Sequence, residues 1–195
     1  LFADLYLETE RLLLRAYTME DLTDLHAIVS QEEVMKDLPE GIMSMEQTEK
    51  GLRWIIECYG KNTPEKIVKF SVGVVEKDTG KLIGWCGLGP LEFDESDTEI
   101  YYGLSRPYWG RGITTEAAKA LLHYGFHTIG LDKIVAIVKP ENIASQRVIE
   151  KLGLNYRRKI LGLPQKFKFF EGLLYYSLTR KEYKTGFEAA SSAER

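Results

Sequence analysis

Only two cysteines, Cys58 and Cys86, occur in the 195 residues. That is too few for a disulfide framework, and both are expected to be free thiols of a reducing cytoplasm. Long apolar runs are missing as well. The longest aliphatic one, IVAIV at 134–138, is far short of the roughly 20 residues of a spanning helix, so no membrane association is expected. The N-terminal stretch LFADLYLETERLLLR carries acidic residues among its apolar ones. With no basic lead and no small-residue cleavage site, it is not expected to be a signal peptide. The three histidines, His26, His123 and His127, have no cysteine or carboxylate at ligand spacing; no metal is expected, and His123 and His127 read as sharing a helix face. Repeats, low-complexity linkers and Pro/Gly-rich boundaries are absent too. One domain over residues 1–185 is therefore expected, followed by a flexible tail, 186–195.

What is present is a composition ordinary for a soluble globular protein, 44% apolar and 28% charged. Charge is unevenly placed. Residues 131–168 sum to +6 within a chain of net −3. Such a segment either binds a compact polyanion or merely solubilises the surface. It lacks the pattern of an RNA- or DNA-binding motif, so no nucleic-acid partner is expected.

Along the chain, RLLLR (11–15) reads as a strand. Thr18 and Asp21 then form a variant helix cap before Leu22, Leu25, Ile28 and Val29. SMEQ at 44–47 is a capping box for a second helix. The segments KIVKFSVGVVEK and KLIGWCGL flank Asp78-Thr79-Gly80 as a hairpin, and EFDESD reads as an acidic loop before the strand DTEIYYGLS (97–105). A helix over 113–127, the strand KIVAIVK, a helix over 143–152 closed by Gly153, and strands at NYRRKI and LLYYSLT complete the pattern. Strands first, then strands and helices in turn, predict an α+β mixed sheet with helices on its faces.

The stretch RPYWGRGITTEAAKALL (106–122) runs from the end of a strand into an amphipathic helix. At a helix N-terminus the first N–H groups lack intrahelical partners and the dipole is positive, so Gly110 and Gly112 would let a phosphate reach bare backbone. Alternatively, the glycines only relieve a tight turn. The Walker A motif is excluded because Ile113, not Lys, follows Gly112. The dinucleotide fingerprint is excluded because Thr115 occupies its third small position.

Preceded by EIYYGLS and followed by NIASQRVIEKLGL, the stretch PYWGRGITTEA resembles the GNAT superfamily of acetyl-CoA-dependent N-acetyltransferases. The Pro-x-Trp-Gly-x-Gly form is similar to its ribosomal-protein-alanine (RimJ/RimL) branch. TERLLLRAYTMEDL, LIGWCGL and YYSLTRKEY resemble that branch's opening strand and helix, third strand and last strand. The resemblance implies a mostly antiparallel sheet of six to seven strands with a splayed parallel pair holding acetyl-CoA. Tyr102, Gly103 and Leu104 would bond the pantetheine arm. The amides of Tyr108, Trp109, Gly110, Arg111, Gly112 and Ile113 would take the pyrophosphate, with a hydroxyl from Thr114 or Thr115. Asn142 and Ser145 match the start of the helix beside the thiol; Asn142 is equally a plain N-cap. Where many members carry a tyrosine acid this chain has Ile149, so the resemblance shifts protonation of the thiolate to Ser145. Glu99 matches a catalytic glutamate position, with Asp97 a weaker substitute, and its alternative is an edge carboxylate. Trp109 lines a slot with Tyr101, Tyr102 and Tyr108 or packs in the core. Cys86 is not expected as an acetyl-enzyme nucleophile.

The implied reaction is direct attack of a primary amine on the acetyl thioester, the acceptor being a protein N-terminus or a small molecule. An α-amine with a pKa of ~7.8 is partly neutral at pH 7, whereas a lysine at ~10.4 needs ~3.5 kcal/mol more help. The competing reading is a non-catalytic acyl-CoA-binding or regulatory domain. A monomer and a homodimer are both compatible with the sequence.

Overall fold

The computed structural model describes residues 1–193, with side chains through Gly186. Eight strands are hydrogen-bonded in one sheet: β1 (Tyr6–Glu8), β2 (Leu12–Arg15), β3 (Phe70–Glu76), β4 (Leu82–Leu91), β5 (Asp94–Leu104), β6 (Lys133–Val138), β7 (Asn155–Lys159) and β8 (Leu174–Thr179). Their order is β1-β2-β3-β4-β5-β6-β8-β7. β5 and β6 are parallel, with Glu99 opposite Val135, and the pairs β1–β2, β2–β3, β3–β4, β6–β8 and β7–β8 are antiparallel. The helices are α1 (Leu22–Val29), α2 (Glu32–Met35), α3 (Met45–Tyr59), α4 (Ile113–Tyr124), α5 (Ile143–Lys151) and α6 (Arg180–Ala193). The eighth strand beyond the expected six to seven is β1, a three-residue edge.

By contact the chain forms two compact units, Leu1–Gly89 with Tyr101–Leu121, and Pro90–Ile100 with the chain from Leu122 onward. In the first, α1, α2 and α3 bury Leu25, Ile28, Val29, Met35 and Leu52 with Tyr17, Val75 and Leu82. Local chemistry sets the ends of these helices. Ser44 and Gln47 close a reciprocal capping box at α3, 2.8 and 3.2 Å, as the sequence predicts. A short 3-10 turn, Met19–Asp21, precedes α1. Asp21, 6% exposed, takes both guanidinium arms of Arg15 at 2.7 and 2.8 Å and the Thr18 amide at 2.9 Å. The hairpin turn behaves as expected: Gly80 has φ 68° and its N–H donates to the Glu76 carbonyl at 2.8 Å.

The second unit packs Leu91, Val135, Ile160, Phe170, Leu173 and Tyr175 together. The acidic stretch expected as a loop is mostly strand: β4 ends at Leu91 and β5 begins at Asp94, so only Glu92 and Phe93 turn. The helix expected to reach residue 127 stops at Tyr124 and passes into a π-helical turn, Gly125–Ile129. There the amides of Gly130 and Leu131 both donate to the Gly125 carbonyl, at 3.1 and 3.0 Å. His123 and His127 stack at 4.2 Å, on one helix face as read. α6 enters the stretch expected as a tail; residues 194 and 195 of that stretch lie outside the described residues. Among the described residues no helix is long and apolar enough to cross a membrane.

Candidate active site

β5 leaves the sheet at Leu104 and the chain turns sharply into α4. Ser105 is anchored by its amide to the Ile83 carbonyl, 2.8 Å, and Arg106–Tyr108 make one 3-10 turn with Pro107 in it. Gly110 and Gly112 follow with φ 75° and 74°, a region where a side chain costs roughly 1–2 kcal/mol. A Cβ at Gly110 would meet no protein atom within 4 Å, and at Gly112 only the Arg11 guanidinium, 3.7 Å away. Glycine is therefore required here by backbone conformation, and the space it leaves bare opens away from the unit's own atoms. The first helical bond of α4 runs from the Glu116 N–H to the Gly112 carbonyl, 3.1 Å. The amides of Ile113, Thr114 and Thr115 thus stand at an unpartnered helix N-terminus, a setting that fits the phosphate of a nucleotide-like ligand.

Two of the expected amide donors are already used. Tyr108 N–H donates to the Ser105 carbonyl at 3.0 Å and Trp109 N–H to the Arg106 carbonyl at 3.2 Å, so the turn itself consumes them. Trp109 does not pack in the core: it is 39% exposed, its indole N–H donates to the Leu104 carbonyl at 2.6 Å, and Arg106 lies over its ring at 4.7 Å. Arg111 is exposed, 3.7 Å from Glu76, and lies 5.4 Å from the Tyr108 ring centroid. Thr114 and Thr115 are half-buried.

The strand before the turn is shaped by close packing. Tyr102 and Gly103 are half-buried and Leu104 is buried. A Cβ on Gly103 would collide with the Trp85 indole, and one on Gly87 with the Tyr101 ring. The glycines of β4 and β5 thus give the aromatic rings of the neighbouring strand their room. Lys69 covers the Tyr101 ring at 4.0 Å.

Two clamps that the sequence reading missed hold the turn. Gln31, just after α1, donates to Ser105 Oγ at 3.0 Å and accepts from the Arg106 amide at 2.9 Å. Arg11 reaches both the Arg111 carbonyl, 2.9 Å, and the Glu116 carboxylate, 2.7 Å. These partners are 74 to 105 residues apart in sequence, so no local pattern announces them.

Glu99, Asn142 and Ser145 lie in the second unit. Glu99 is half-buried on β5. Asp97 is otherwise engaged: 3% exposed, it accepts from the Tyr175 phenol at 2.5 Å and is ion-paired with Lys133. Its role is to fasten β5, β6 and β8. Asn142 caps α5, accepting from the Ser145 amide at 3.0 Å, so its structural role is real. Ser145 is half-buried in the first turn of α5. Ile149 is 1% exposed, a core residue at the position where a tyrosine acid would stand.

Both thiols are buried, and burial pushes Cys86, and less strongly Cys58, above the ordinary thiol range. Neither has the character of a nucleophilic thiolate. Several cations of the basic segment are ion-paired. Lys133 pairs with Asp97, Arg157 with Glu182 at 2.5 Å, and Lys168 with Glu171 at 3.6 Å.

With this geometry in view, comparison with known proteins is decisive for the family: residues 11–155 match the acetyltransferase (GNAT) domain. The chain belongs to the GNAT family. The uncharacterized N-acetyltransferase p20 of Bacillus licheniformis is 30% identical over 181 residues, 91% of this chain and 97% of that protein. A GNAT-family acetyltransferase from Bacillus anthracis superposes with a TM-score of 0.74 at 29% identity, covering 91% of this chain and all of that one. The RimL ribosomal L7/L12 alpha-N-protein acetyltransferase in complex with coenzyme A shares the fold, with a TM-score of 0.73 at 17% identity over 90% of this chain and 98% of that one.

Proposed function

We propose that this GNAT protein moves the acetyl group of acetyl-CoA to a primary amine by direct attack on the thioester. The observation that carries the proposal is the pair of positive-φ glycines, Gly110 and Gly112, opening bare backbone at the N-terminus of a twelve-residue helix. The amides from Gly110 to Thr115 receive the pyrophosphate, and the backbone of Tyr102, Gly103 and Leu104 aligns the pantetheine arm as an added strand. Tyr108, Trp109 and Arg111 frame the turn with their side chains.

In the reaction the amine nitrogen bonds to the thioester carbonyl carbon and the carbon–sulfur bond breaks. Glu99 takes the proton that the attacking amine loses, directly or through water. Ser145 gives a proton to the departing CoA thiolate and regains one from solvent, while Asn142 holds the first turn of α5 in place. Cys86 is too deeply buried to carry the acetyl group, which supports a single transfer without an acetyl-enzyme. The preferred acceptor is an α-amine, of a protein N-terminus or a small molecule. Its pKa of ~7.8 demands little of a half-buried carboxylate, whereas a lysine would cost ~3.5 kcal/mol more.

The test is calorimetric titration of acetyl-CoA into the wild type and Gly110→Glu, followed by thiol release with a panel of amines. Micromolar binding abolished in the variant, and release with at least one amine, is the expected result. Binding without release from any amine would make the chain an acyl-CoA-binding GNAT domain. No binding by the wild type would end the acetyl-CoA reading.

A further inference from the structure

The first turn of α4 carries a carboxylate, Glu116, where the proposed pyrophosphate would also sit. An anionic side chain near a helix N-terminus is stabilised by the dipole, yet it works against any second anion there. Both oxygens of this carboxylate are engaged. Oε1 accepts from Thr9 Oγ1 at 2.5 Å and from the Arg11 amide at 2.9 Å. Oε2 accepts from Arg11 Nε at 2.7 Å, with Arg11 Nη2 at 2.6 Å. Burial alone would raise the Glu116 carboxyl; the bonds from Thr9 and Arg11 outweigh it and hold the group below its ordinary range. The carboxylate is thus ionised, and Arg11 is its counter-charge.

The remaining arm of Arg11 does something different. Nη1 donates to the Arg111 carbonyl at 2.9 Å, the peptide oxygen between the two positive-φ glycines. A trans peptide is planar with its C=O and N–H on opposite sides. A carbonyl drawn toward Arg11 therefore turns the Gly112 N–H away from Arg11, and with it one of the few free donors of the turn.

We infer that Arg11 is a positioning residue for acyl-CoA binding: its fork neutralises Glu116 in the first turn of α4 while its third nitrogen fixes the peptide plane that presents the Gly112 amide. This rests on the acetyl-CoA reading above. It also gives the Thr-Glu-Arg stretch at 9–11 a task in cofactor binding, although it lies about 100 residues from the turn in sequence.

The test compares acetyl-CoA affinity, kcat and KM for the wild type, Arg11→Gln, Arg11→Lys, and Arg11→Gln combined with Glu116→Gln. Arg11→Gln is expected to weaken binding about tenfold, the scale of a lost charge-assisted hydrogen bond, and to raise KM with kcat at saturation nearly unchanged. The double variant is expected to bind more tightly than Arg11→Gln alone, because the uncompensated carboxylate is gone. Loosened packing alone would not produce that rescue. Arg11→Lys keeps the charge without the fork, should fall between wild type and Arg11→Gln, and serves as the test if Arg11→Gln does not fold. Wild-type affinity in both single variants, or a fall in kcat with affinity unchanged, overturns the inference. Failure of the wild type to bind acetyl-CoA would instead remove the reading on which it rests.

Discussion

The Tyr175 phenol and the Asp97 carboxylate meet in a 2.5 Å hydrogen bond, and Lys133 is ion-paired with the same carboxylate. Burial and the neighbouring carboxylate both push the phenol above its ordinary range, so Tyr175 stays the donor throughout the physiological pH range. Asp97 is thereby tied to two strands. Asp97→Asn should cost about 1–3 kcal/mol of stability, the penalty for disturbing a buried polar group, and leave the shape of the pH–rate profile intact. Urea denaturation and kinetics on the same preparation check this. Full stability with a changed pH profile would show that Asp97 is the base.

Glu99 is the contrasting case, two residues along the same strand. Glu99→Gln is expected to lower kcat by roughly 10²–10⁴, the usual contribution of a general base. It should also move the rising limb of the profile upward, because only amine already neutral in solution would then react. Unchanged kinetics between pH 6 and 9 would take Glu99 out of the mechanism.

At the start of α5 one substitution should affect stability and another should affect rate. Asn142→Ala removes the bond to the Ser145 amide and should cost about 1 kcal/mol in thermal unfolding, as for other N-caps. Ser145→Ala keeps the cap acceptor and is expected to leave the melting temperature nearly unchanged while lowering kcat. A Ser145→Ala enzyme at wild-type kcat would leave the CoA thiolate to be protonated by water.

The features that were legible in the sequence are local ones. The α3 capping box is four residues, the Gly80 hairpin three, and the glycine turn is marked by Gly110 and Gly112, two residues apart. What escaped was set by partners far along the chain or by competing short-range signals. Arg11 and Gln31 gain their importance only when folding brings β2 and the end of α1 to the turn. Trp109 looks like a core residue by size, yet its indole finds the Leu104 carbonyl at the surface. The amides of Tyr108 and Trp109, which the resemblance assigns to the pyrophosphate, are taken up by a 3-10 turn around Pro107 that has no distinctive spacing. α6 carried an overlooked signal. Thr179 and Glu182 form a reciprocal cap, but Thr179 is also the last residue of the strand Leu174–Thr179, so the strand runs directly into the helix start.

That cap supplies the last prediction. The Thr179 amide and hydroxyl both donate to Glu182 Oε2 at 2.8 Å, and Arg157 lies 2.5 Å from Oε1. The Thr179 amide, then Arg157 Nη2 and the Thr179 hydroxyl, hold the carboxyl down to about 2. A depressed pKa in the folded chain means that the native state favours the ionised form. Its stabilisation is fully present above the unfolded value of about 4.3 and fades as pH falls from there through about 2. Because the group is more than a third exposed, solvent screening keeps the effect modest. Glu182→Gln should therefore lower the melting temperature by a few degrees at pH 7. The gap from wild type should narrow steadily below pH 4 and close near pH 2. A gap that is constant from pH 7 to pH 2.5 would mean that the cap acts through shape and hydrogen bonding alone, with no contribution from the carboxylate's charge.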